Sequence, residues 1–196
     1  MPPLTQALII TNVVVFLLQQ LFGGAFTEMF ALWPLGSGLF MPWQVVSYAF
    51  LHGNVTHIAF NMFGLWMFGR ELEDLWGTRR FAVFYTVSVL AAAALQLLVT
   101  TSLGSMAPTI GASGGLFGLL LGFAMMFPHR TIVPLIPPIP MPAWLFVTLY
   151  GLIELTLGVT GSASGVAHFA HLGGLFGGWM VIRYWRNQPP FGTGRR

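Results

Sequence analysis

Residues 111–127 read GASGGLFGLLLGFAMMF, and the organisation of the chain can be worked out from them in both directions. The run carries no charge and is followed at once by Pro128, His129 and Arg130, so it reads as an apolar helix that stops where proline and charge begin. Gly111 and Gly114 flank Ser113, and they permit close approach and unusual backbone angles where an extended segment turns into helix. The first turn of such a helix leaves backbone N–H groups without intrahelical acceptors, a ready site for a developing oxyanion. Gly114, Gly118 and Gly122 recur every four residues, the small-residue face that lets two membrane helices touch.

The rest of the chain has the same character. Of 196 residues, 56% are apolar and 7% charged, where a soluble domain carries about 25% charged residues. Most of the exterior must therefore face hydrocarbon, with the backbone satisfied inside helices. The apolar runs place six spans at about 4–22, 55–72, 81–100, 113–127, 143–159 and 166–184. Six helices of about 20 residues use roughly 120 residues, so one domain over 1–196 is expected. Residues 25–51 are too broken to span and hold Trp33-Pro34, Met41-Pro42-Trp43 and a single charge, Glu28, as suits a first loop lying in the interface. The Pro-rich stretch 134–142 reads as a connector, and 161–165 links the last two spans.

There is no Lys, and the eight Arg (70, 79, 80, 130, 183, 186, 195 and 196) all lie at or beyond the C-terminal ends of the even-numbered spans. The positive-inside rule assigns that side, with both termini, to the cytoplasm. The basic balance is thus a topology signal, and no nucleic-acid partner is expected. Without Cys there are no disulfides or thiolate metal sites. The first apolar run lacks a basic leader and reads as a retained helix.

Four polar side chains are expected at comparable depths, three in the outer half of a core about 30 Å thick and Asn61 near its middle. His57 lies roughly 20 Å, His171 roughly 18 Å, Ser113 roughly 25 Å and Asn61 roughly 14 Å along their helices from the nearest Arg, at 1.5 Å per residue. His57 and Asn61 are one turn apart on one face. Ionisable or polar residues inside a membrane are costly and invite a functional reading, while isolated ones also serve simply to bond helices together. His168 and His171 invite a metal reading with Glu154 as the nearby acid, but no His-Glu-x-x-His or further ligand completes a set, and no metal is expected. His168 is expected at the polar outer rim. Glu154, the one mid-span acid, needs a partner that the sequence does not name.

Gly111-Ala112-Ser113-Gly114, together with His171-Leu172-Gly173-Gly174 and Gly178, resembles the rhomboid family of intramembrane serine proteases, and His52, His57 and Asn61 match that family's second-span pattern. The resemblance covers nearly the whole chain. It implies an all-α, six-transmembrane-helix bundle with Ser113 as nucleophile and His171 as general base. It also implies that His57 and Asn61 hold the oxyanion, that Gly111, Gly114 and His52 are supporting, and that no cofactor is needed. Substrates would be transmembrane segments of other membrane proteins, cut near their extracytoplasmic end, in a bilayer expected to be a bacterial inner membrane. The oligomeric state is left open. Phe117 stands where several relatives carry a tyrosine against the catalytic ring, and Gln44 stands where the family has an arginine beside Trp43. Glu73 resembles the family's buried acid, with an ordinary solvated carboxylate as the alternative. No third acid is evident for a Ser-His-Asp arrangement, so packing or a backbone acceptor would have to orient the imidazole. A client-binding relative without catalysis, and a small transporter or haem-binding bundle, are the alternatives.

Overall fold

The computed structural model describes residues 1–134, 137–161 and 167–188. Helix α1 (Pro3–Phe22) opens with proline in its first turn and closes at Gly23, whose φ of +68° is left-handed. Its buried residues are Thr5, Asn12 and Gln19, while Ile10, Val13, Val14, Leu17 and Leu21 are exposed. The seven-residue spacing puts the polar set on one face. A helix with polar residues turned inward and aliphatic residues outward is built for lipid, where helices are joined by polar contacts and packing.

The first loop folds as α2 (Gly24–Phe30), a 3-10 turn at Leu35–Ser37, α3 (Gln44–Ser47) and a second 3-10 turn at Tyr48–Phe50. None is long enough to span, as expected. Helix α4 (Val55–Gly64) is capped by the Asn54 side chain, which accepts from the His57 backbone N–H at 2.8 Å. It continues through a π-helical segment, Leu65–Gly69, into α5 (Arg70–Trp76), so this helix runs past the expected end at Leu72. Gly77, with φ +78°, reverses the chain into α6 (Thr78–Ser102).

Helices α7 (Ser113–Met126) and α9 (His168–Trp185) lie against each other and against α6, and α8 (Ala143–Thr160) flanks α9. A Cβ on Gly174 would run into the Gly114 carbonyl, and Cβ atoms on Gly173 and Gly177 would stand 2.6 Å from the Ala91 carbonyl oxygen and Ala91 Cβ. Backbones this close are what small residues allow between membrane helices. The expected contact of the two glycine faces is present, and α6 is a third party to it through Ser88, Ala91 and Ala92. The connector after α7 forms a two-residue hairpin, β1 (Thr131–Ile132) with β2 (Met141–Pro142), a small extended element in an otherwise helical chain.

The protein is a multi-helical integral membrane bundle. Among the described residues, α1, α6 and α8 are long and apolar enough to cross a membrane, and α7 is a shorter apolar helix. One end of the bundle gathers charge: Arg130 pairs with Glu71 at 2.7 Å, Arg80 lies over Trp185, and Arg186 donates to the Met125 carbonyl. At the same end Glu73, only 2% exposed, accepts from the backbone N–H groups of Leu4 and Thr5 and from the hydroxyls of Thr5 and Thr78. Burial raises its pKa, but these four bonds outweigh it and hold the carboxyl below its ordinary value. The buried alternative is therefore the one adopted, and Glu73 caps the free N–H groups at the start of α1. Residues 162–166, which include the expected start of the last span and most of the 161–165 link, and Arg195 and Arg196 lie outside the described residues.

Candidate active site

Ser113 is the first residue of α7, where the sequence put it. The turn before it depends on Gly111, whose φ of +128° is closed to other residues without strain. Gly111 is anchored through its N–H to the Tyr48 carbonyl, and Tyr48 in turn donates to the Val89 carbonyl of α6. Ser113 Oγ lies 2.7 Å from His171 Nε2 on α9. Phe117, one turn along α7, stacks on the His171 ring with centroids 4.3 Å apart and planes within 7°. An aromatic face thus fills that position without a hydroxyl.

His57 and Asn61 come to the same place from α4. A Cβ on Gly111 would sit 2.9 Å from His57 Nε2 and 3.6 Å from Ser113 Oγ, so the two groups face each other across space that only glycine leaves open. His57 Nδ1 is 3.3 Å from the Gly53 N–H and accepts from it. That bond requires a lone pair on Nδ1, and it directs the proton of neutral His57 to Nε2, toward Ser113. Asn61 is buried, its Nδ2 has no hydrogen-bond partner among the described residues, and it shares with Ser113 the lining of a cavity of about 430 Å³. A buried, unpaired amide donor at such a wall is available to an incoming oxygen. The cavity runs between α4, α7, the hairpin and α8, with Phe60, Leu116, Ile132, Phe146 and Tyr150 making most of it apolar.

His52 is buried edge-on to His57 at 4.9 Å, and its backbone N–H donates to Gln19 Oε1. Burial first, and then the neighbouring His57, lower its pKa to about 4, so it is neutral at physiological pH. Gln44 is also buried. Its Oε1 accepts from the Trp33 and Met41 N–H groups and its Nε2 donates to the Met29 and Leu39 carbonyls. The residue standing in for the family's arginine therefore ties the first loop together as a neutral hub.

Two expectations are corrected. His168 is not a rim residue: it is 6% exposed, and its Nδ1 lies 2.6 Å from Glu154 Oε2. Glu154, for which the sequence names no partner, has a second neighbour besides His168, because the same oxygen lies 2.8 Å from His171 Nδ1. An acid does stand behind the imidazole. Glu154, His168 and His171 also form a group whose ligand atoms could hold a metal ion. Sequence reasoning passed over Gln96, which donates to Thr109 Oγ1 and accepts from the Ala170 N–H, fixing α9 next to His171. A glutamine in the middle of an apolar span was the available signal.

Residues 39–188 match the family described as Rhomboid domain. The mitochondrial rhomboid protein 1 of Saccharomyces cerevisiae is 31% identical over 153 residues, covering 71% of this chain and 42% of its own length. Rhomboid protease GlpG of Serratia proteamaculans is 27% identical over 188 residues, covering 93% of this chain and 62% of its own. Rhomboid protease GluP of Bacillus subtilis is 27% identical over 141 residues, 71% of this chain and 25% of its own. The chain thus spans less than two thirds of the length of each of these relatives. With a match over most of its residues, and a bundle that brings Ser113 and His171 into contact, this protein belongs to the rhomboid family.

Proposed function

We propose that this chain is an intramembrane serine endopeptidase that cuts transmembrane segments of other membrane proteins. The observation that carries this is the 2.7 Å contact of Ser113 Oγ with His171 Nε2, at the N-terminal end of a glycine-flanked helix inside an apolar bundle. His171 takes the hydroxyl proton as Oγ attacks the scissile carbonyl, then delivers it to the departing amine. The acyl enzyme is released by water. The oxyanion is held by the Ser113 backbone N–H, Asn61 Nδ2 and His57 Nε2–H, each donor worth on the order of 100- to 1,000-fold in rate. The free Asn61 amide and the direction imposed on the His57 proton support those roles. Gly111, Gly114, His52 and Phe117 hold the geometry.

The apolar cavity beside Ser113 suits a substrate delivered from lipid. A helix hides its carbonyls in i to i−4 bonds, so the substrate must become extended at the cut. Six spans in one domain, with the Arg-rich end in the cytoplasm and the dyad opening to the exterior, fit the placement of the charges. A bacterial inner membrane is the proposed location, supported only by the bacterial source of relatives such as that of Serratia proteamaculans, and the mitochondrial name of the yeast relative makes an organelle membrane the alternative.

The test uses detergent-purified chain, a fluorogenic transmembrane-segment substrate and a fluorophosphonate probe. Wild type is expected to cleave and to label, and Ser113→Ala and His171→Ala to lose cleavage by at least about 10³-fold. Full activity in Ser113→Ala, or neither cleavage nor labelling by wild type across several substrates, would overturn the protease assignment in favour of client binding.

A further inference from the structure

The cluster behind the imidazole goes beyond a serine-histidine pair. Glu154 Oε2 on α8 lies 2.6 Å from His168 Nδ1 and 2.8 Å from His171 Nδ1, and all three residues are buried. Donors around one tetrahedral zinc, at about 2.0–2.2 Å from the metal, stand about 3.4 Å apart. Oxygen and nitrogen here are closer, at the distance of charge-assisted hydrogen bonds. The His168 contact is a hydrogen bond, whereas His171 Nδ1, though 2.8 Å from the same oxygen, makes no hydrogen bond among the described residues. Catalytic hydrogen bonds are often misaligned before substrate arrives and tighten in the complex.

We propose that Glu154 is a positioning residue for His171: anchored by His168, its carboxylate keeps the proton of the resting imidazole on Nδ1 and stabilises the imidazolium formed during attack. The inference rests on the protease reading for its kinetic part only. A carboxylate at Nδ1 favours hydrogen on that nitrogen, which leaves the Nε2 lone pair facing Ser113 Oγ. When Oγ bonds to the carbonyl carbon, its proton moves to Nε2 and the ring becomes a cation. Glu154 keeps its charge and takes no proton. A charge that is already in place opposite the one that develops costs no reorganisation at the moment of reaction. His168 supplies the second donor that a carboxylate in a dry bundle requires, and it fixes the oxygen in position.

Two measurements decide it. The first is the ¹⁵N-histidine spectrum of the detergent-solubilised wild-type chain, with His171→Gln for assignment. His171 is expected as the Nδ1–H tautomer, and Glu154→Gln is expected to shift the population toward Nε2–H; an Nε2–H tautomer in wild type overturns the proposal. This needs no substrate, so it stands apart from the fate of the protease reading. The second is kinetic. Glu154→Gln and Glu154→Leu should lower kcat on the order of 10²- to 10⁴-fold with KM within about threefold, and Glu154→Asp should recover part of the loss. With wild type active and Ser113→Ala dead, a Glu154→Gln enzyme within about threefold of wild type in kcat would sink the proposal and leave the protease assignment intact.

Discussion

The two sides of Ser113 are built differently. On one, α6, α7 and α9 meet through Gly114, Gly118, Gly173, Gly174 and Gly177, with backbone against backbone and no room for a methyl group. On the other, α4, α7, the hairpin and α8 leave a cavity of about 430 Å³. The difference teaches how one bundle can be rigid and accessible at once. The packed side sets the Ser113 to His171 distance through backbone positions, which relax little. The open side carries Asn61 and the apolar walls, where, on the proposed function, fit to an incoming chain matters more than cohesion.

The contrast is most directly broken by overfilling the packed side. Gly174→Val drives a side chain into the Gly114 carbonyl, and overpacking of this kind costs about 3 kcal/mol or more. A marked fall in melting temperature is expected together with loss of cleavage, because α7 and α9 must separate. Unchanged melting and activity would mean that these helices are not held by backbone contact. On the open side Asn61→Ala is expected to lower kcat by about 100-fold while melting and KM stay near wild type, because its Nδ2 makes no hydrogen bond among the described residues. A matching fall in stability would make Asn61 structural.

A milder test narrows the cavity mouth. Val133 lines the cavity and is exposed, so Val133→Trp should raise KM roughly tenfold, about 1.4 kcal/mol of binding, and leave thermal stability alone. Equal KM values would place the substrate elsewhere. The smallest effect concerns pH and His52, which lies in the loop before α4. Its folded pKa of about 4 is below the ordinary value of 6.5, so the folded state favours the neutral ring. Its contribution is full above pH 6.5 and is lost as pH falls toward 4. Melting temperature should decline across that window, and His52→Phe should flatten the decline. An unchanged pH profile in that variant would assign the acid sensitivity to other groups.

Much of this was legible in the chain. Ser113 opens α7 because glycines allow the turn and an apolar run follows, and both are local properties. The glycine faces announce close contact between helices for the same reason. The Gln44 hub was visible only as a departure from the expected arginine, since its four partners are scattered from Met29 to Met41 and come together through the fold of the first loop. Glu73 could have been solvated or buried until α1 was seen to start above it.

By itself the sequence determined what is counted along one helix: the apolar runs, their glycine faces, the height of Ser113, His57, Asn61 and His171, and the end of the bundle to which the arginines belong. Only the tertiary structure decided which way a helix without such a glycine face is turned. A helix in lipid is apolar nearly all round, so periodicity does not mark its inner face. The rotation of α8 was therefore unreadable, and with it the meeting of Glu154, His168 and His171. That rotation is set by close packing against neighbouring helices, a property of the assembled bundle that no single run of residues carries.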